Sequence, residues 1–138
     1  MSHRILSHTA DTGVEASAPG LAALVAELAA GMFESMGSLR QGPDGPGTEI
    51  EVEVSAPTPE DLVVDALSEL LYESEVEDVF LFDFSAEPVD RLAVRVRARG
   101  VPFTRVETTG PPIKAVTYHD VEVVETPGSC RGRVYFDV

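Results

Sequence analysis

Two short segments that alternate strictly in polarity, and that carry opposite charges on their polar faces, restrict the fold of this chain more than any other feature. Glu49-Ile50-Glu51-Val52-Glu53-Val54 alternates acidic and aliphatic residues, and Arg91 to Arg99 turns Leu92, Val94, Val96 and Ala98 to one side and Arg91, Arg95, Arg97 and Arg99 to the other. A period of two puts each set on one face of a pleated strand, so both segments read as half-buried β-strands. Side by side, the glutamates and arginines satisfy each other across the ladder. The alternative, an arginine stripe that binds something outside the chain, needs an external partner for the same charges, so pairing is the preferred reading.

Helical periodicity flanks the first of these strands. From Leu21 the apolar residues Leu24, Val25, Leu28, Met32, Phe33 and Met36 recur at spacings of three and four, with Pro19 and Gly20 opening the helix and Gly37 expected to close it. A second helix starts at Thr58-Pro59-Glu60-Asp61, where Thr58 caps free amides, Pro59 suits the first turn and the acids complement the positive helix end. Its buried stripe is Val63, Ala66, Leu67, Leu70 and Leu71. Further strands are expected at 4–8, 12–17, 79–85, 119–125 and 131–137, and the turn-rich stretches 41–47 and 108–112 read as loops too short to separate two cores. Strands flank the helices without regular βαβ alternation. The expected fold is therefore α+β: one two-layer domain over residues 1–138, with two helices packed on one face of a mostly antiparallel or mixed sheet.

Charge narrows the function classes. With 24 acidic against 10 basic residues the formal charge is -14. Such a surface repels a phosphate backbone, so direct, tight RNA binding is not expected, whereas hard cations or a basic partner protein suit it. No apolar run reaches the roughly 20 residues needed to cross a bilayer, and no membrane association is expected. The start, Met1-Ser2-His3-Arg4-Ile5-Leu6, lacks a basic stretch followed by a long apolar one, and the lone Cys130 cannot form an internal disulfide, so cytoplasmic residence is the default expectation.

Glycine-rich phosphate loops, paired CxxC, HExxH and GxSxG motifs are all lacking, which leaves little support for an independent catalyst. The residues with chemical potential fall in three segments: His8-Thr9-Ala10-Asp11-Thr12-Gly13, Lys114-Ala115-Val116-Thr117-Tyr118-His119 and Tyr135-Phe136-Asp137-Val138. If a turn aspartate at 11 comes beside Asp137, two like charges held close destabilise each other unless a cation or proton intervenes. The main-chain oxygens of Val138, including the terminal carboxylate, would add donors. An all-oxygen set favours calcium, magnesium or manganese over zinc. The competing reading makes Asp11 an Asx-type turn cap and Asp137 a frayed terminal residue. Lys114 could meet a phosphate, a carboxylate or only water. A lone histidine such as His119 is more often a hydrogen-bonded structural residue than a catalyst, and His8 shares that ambiguity, although its nearness to Asp11 would let it orient that ligand. Cys130 has no identifiable base beside it and reads as incidental.

In their order along the chain, these three segments, together with Leu70-Leu71-Tyr72, resemble the archease family. Its members open with a histidine, two residues and an aspartate in a turn, carry a KAVTYH segment and end with an aspartate one residue from the C-terminus. The resemblance spans residues 8–138; Thr12, where the family more often has an aliphatic residue, and the 41–47 loop depart from it. It implies a divalent metal ion (calcium, magnesium or manganese) held by Asp11, Asp137 and Val138, with Lys114 and His119 toward a partner or nucleotide and His8 behind Asp11. It also implies a non-catalytic accessory role: promoting guanylylation and multiple turnover of a GTP-dependent RtcB-type RNA ligase in tRNA splicing or RNA repair, with GTP shared with that ligase. Two other classes remain alternatives at this point: a stand-alone metal-dependent phosphoester or nucleotide hydrolase, and a general chaperone-like interaction module.

Overall fold

The computed structural model describes residues 1–7, 12–40 and 47–138. His8, Asp11 and the greater part of the 41–47 loop lie outside the described residues. Among those described, two α-helices and ten strands form an α+β fold in which every strand pairing is antiparallel.

The charge ladders are a matched pair. In β4 (Thr48–Ser55) and β6 (Ala93–Pro102), Glu49 stands opposite Arg99, Glu51 opposite Arg97 and Glu53 opposite Arg95. Arg97 Nε lies 2.8 Å from Glu51 Oε1, and Arg95 Nη2 lies 3.5 Å from Glu53 Oε1. The other edge of β6 is covered by β5 (Val79–Asp90), whose Glu87 lies 3.1 Å from both Arg95 and Arg97 and whose Asp83 lies 3.0 Å from Arg99. The hydrogen bond from Arg95, followed by the charge of Arg97, holds the Glu87 carboxyl below its ordinary range. Acids thus flank Arg95, Arg97 and Arg99, and the row is a structural seam, with each exposed pair individually weak. Arg91 falls outside it, in the turn between β5 and β6. Strand β5 runs past residue 85, with a register shift between Phe82 and Ser85 at Asp83, whose φ is 58°. The extra residue leaves Phe84 against Phe33, with ring centroids 5.6 Å apart.

Both helices form where the periodicity places them, as α1 (Leu21–Glu34) and α2 (Pro59–Glu77). Thr58 caps α2 by accepting the Asp61 amide at 3.1 Å. Helix α1 ends at Ser35, which stays right-handed and donates its hydroxyl to the Met32 carbonyl at 2.7 Å. Gly37 therefore does not close the helix in a left-handed turn. It opens β3 (Gly37–Leu39) against β7 (Val106–Thr108), where an added Cβ would sit 2.5 Å from Val106 Cγ1. Its smallness serves strand approach.

The remaining strands form a sheet of β1 (Ser2–Ser7), β2 (Thr12–Ala18), β10 (Ser129–Asp137) and β8 (Ala115–Val116), with β9 (Glu122–Thr126) also on β10. The strands are thus shared among three sheets instead of one, and α1 touches β2 and β10 of one sheet and β5 of another. Contact on several sides explains why Leu24, Val25, Leu28, Ala29 and Met32 of α1 are fully buried. One continuous apolar cluster runs from Val14 to Phe136 through both helices. No helix among the described residues is long and apolar enough to cross a membrane.

Candidate functional site

The last strand and the segment that crosses its end tie together the main chains of two candidate residues. Phe136 of β10 is fully buried and anchors the strand, while Asp137 and Val138 are exposed. Opposite, the buried Ile113 pins the chain after Pro111-Pro112, and the Lys114 amide donates to the Asp137 carbonyl at 2.8 Å. Strand β8 then pairs Ala115 with Asp137 and Val116 with Phe136. Thr117 finishes the clamp, its amide donating to the Tyr135 carbonyl at 3.0 Å and its hydroxyl to the same oxygen at 3.2 Å. The main chain at Lys114 is therefore tied to the main chain at Asp137.

On the other edge of β10, Phe136 pairs with Thr12 and Tyr135 with Gly13. A Cβ on Gly13 would lie 2.6 Å from Tyr135 Cδ1, so glycine there admits the tyrosine ring across the strand. Asp11, bonded to Thr12, and His8 lie outside the described residues, so of the acidic pair only Asp137 has a described position. Groups of three or more His, Cys, Asp and Glu able to hold a metal ion do not occur among the described residues. The donors present at this corner, the Asp137 carboxylate and the main-chain oxygens of Val138, are all oxygen, the chemistry that suits a hard divalent cation.

His119 is in a turn before β9, not in a strand. It is exposed, its Nε2 is 3.2 Å from Asp120 Oδ2, and the left-handed φ of 52° at Asp120 makes the turn that begins there. Its neighbour has a contact that periodicity did not reveal: the Tyr118 hydroxyl lies 2.7 Å from Asp65 Oδ1 on α2, a hydrogen bond that raises the Tyr118 pKa. Thr117 and Tyr118 thus position the KAVTYH segment. Both lie within a motif visible in the sequence, but their partners are 18 and 53 residues distant. Cys130 is 2% exposed, and burial, then the charge of Glu125, raises its thiol pKa, which removes thiolate reactivity.

Comparison with known proteins agrees with this architecture. A model of the archease protein family matches residues 3–138. An archease of Methanosarcina mazei is 34% identical over 96 residues, 66% of each chain, and one of Methanosarcina acetivorans is 29% identical across 99% of this chain and 95% of its own length. The solution structure of protein 1598 of Methanobacterium thermoautotrophicum superposes with a TM-score of 0.79 at 26% identity, covering 99% of both chains. A Thermotoga maritima archease, itself named a possible chaperone, shares the fold at a TM-score of 0.65 and 21% identity, covering 98% of this chain and 96% of its own. With its three motif segments in order and the family match running through nearly every described element, the chain belongs to the archease family.

Proposed function

We propose that this protein is a non-catalytic activator of a GTP-dependent RtcB-type RNA ligase, acting through a divalent cation held at the corner of Asp11, Asp137 and Val138. The observation that supports this reading is the tie between Lys114 and Asp137: the main chain of a lysine is fixed to that of an exposed aspartate by a 2.8 Å hydrogen bond, with Ala115 as the register partner of Asp137. Register adds support, because Thr12, the residue that follows Asp11 in the sequence, is opposite Phe136. A bound cation would supply charge neutralisation and positioning for the phosphates of guanylylation.

The residues of this chain have separable tasks in that scheme. The Asp11 and Asp137 carboxylates and the Val138 main-chain oxygens would hold the cation, with His8 orienting Asp11, and Lys114 would meet a triphosphate or the partner. His119 is the weaker member, since it is exposed in a turn and already paired with Asp120. The acidity of the whole chain, -14 in formal charge, favours a basic partner over RNA itself.

Multiple-turnover ligation with GTP and manganese, using the source organism's own ligase and substoichiometric amounts of this protein, tests the proposal. A many-fold gain in turnover is expected, together with its loss in Asp137→Ala at an unchanged melting temperature. No gain at any ratio would sink the activator role. An Asp137→Ala protein as active as wild type would remove the metal corner from it.

A further inference from the structure

Helix α2 presents an outer face that the fold leaves without a cover. Asp65, Tyr72 and Val76 follow one another at spacings of seven and four, so they lie on one line along the helix, opposite the buried Val63, Leu67, Leu70 and Ser74. Tyr72 is 60% and Val76 58% exposed. Tyr118, 58% exposed, extends the line where its hydroxyl meets Asp65. Beside it runs a groove of about 220 Å³ between Ser68, Leu71, Tyr72 and Glu75 of α2 and the 114–116 segment. Two large apolar side chains an α-helical turn apart, with a tyrosine in line and a groove alongside, form the kind of aromatic centre that carries binding energy in interfaces.

Charge tells what fits there. Helix α2 holds Glu60, Asp61, Asp65, Glu69, Glu73, Glu75 and Glu77 and no lysine or arginine. Three of these acids, with the cap Asp78, crowd the C-terminal turns, where the helix dipole disfavours negative charge. The arrangement is unfavourable within the monomer and becomes favourable against a cationic surface. The groove also opens beside Lys114, the residue tied to Asp137.

We infer that the outer face of α2, with Tyr118 and the 114–116 segment, is the docking surface for a basic protein partner, which seats an apolar side chain against Tyr72 and Val76 and ringed arginines or lysines against the α2 acids. This rests on the activator function proposed above and assigns it a separate recognition surface: α2 supplies affinity, and the Asp137 corner supplies activation. The two roles predict different kinetic signatures.

Titrating Tyr72→Ala/Val76→Ala into the ligation assay reads them apart. The expected result is a rise of about tenfold or more in the protein concentration giving half-maximal activation, with the plateau rate unchanged. Raising the salt concentration should shift the wild-type curve in the same direction. Should the double variant melt early, the charge reversal Glu69→Lys/Glu75→Lys replaces it and is expected to raise the half-maximal concentration likewise. An unchanged curve for a wild type that does activate would overturn the docking surface and leave the activator function standing. A lowered plateau at an unchanged half-maximal concentration would also overturn it. No activation by wild type would remove the function and this inference together.

Discussion

Replacing Gly31 with alanine tests the packing that seats α1 on the sheet. In an open helix the change is stabilising, because alanine exceeds glycine in helix propensity by about 1 kcal/mol. Here the new Cβ would lie 2.5 Å from Val14 Cγ1, 3.2 Å from Val14 Cγ2 and 3.1 Å from His3 Cδ2. Carbon atoms in favourable contact rest about 3.5–4.0 Å apart, so helix and strand must part by about 1 Å. Val14 is fully buried and β-branched, so its χ1 is restricted. Overpacking of this kind costs roughly 1–3 kcal/mol, which exceeds the propensity gain and leaves Gly31→Ala destabilising by about 1 kcal/mol. In a Val14→Ala background the two clashing methyls are gone, and the same Gly31→Ala change should become stabilising by up to about 1 kcal/mol. Urea unfolding of the wild type, both single variants and the double variant, at constant m, measures the cycle. An equal effect of Gly31→Ala in both backgrounds would refute the steric account.

Three further outcomes follow from individual contacts. His3 bridges β1 to α1, with Nδ1 2.8 Å from Glu27 and Nε2 2.5 Å from Glu34; burial alone would lower its pKa, but the hydrogen bonds and charges of both glutamates outweigh this and raise it above 6.5. The folded state therefore holds the His3 proton more tightly, so wild type should exceed His3→Gln in melting temperature by most below about pH 6.5, and the margin should shrink as pH rises through the raised value. Thr58→Ala, which removes the cap on the Asp61 amide, should lower unfolding free energy by about 1 kcal/mol in the same urea assay. Cys130, buried and with its thiol pKa raised, should resist a thiol-alkylating reagent in the native protein and react in denaturant; rapid native labelling would contradict its placement in the core.

Periodicity, matched charge and motif order were legible in the residues themselves. Local periodicity defined both helices and the charged strands, because a period of 3.6 or 2 is a property of consecutive side chains. Pairing of the two charge ladders was readable as well, since glutamates and arginines at matching spacing satisfy each other, whereas the register that leaves Arg91 outside was decided by the folded sheet. Motif order along the chain identified the family.

Tertiary structure decided what depends on distant segments. Strands were divided among three sheets, and Gly37 went to a strand instead of a helix end, because β7 arrives from about seventy residues away and leaves no room for a Cβ. Short strands such as β3 and β8 have too few residues for a period to show, and form only because β7 and β10 offer them an edge. Likewise, the sequence marked Lys114 and Asp137 as separate candidates, and only the pairing of β8 with the end of β10 joined them. That Tyr72 and Val76 stay exposed was decided the same way, because helical spacing specifies which residues share a face and packing alone decides whether anything covers it.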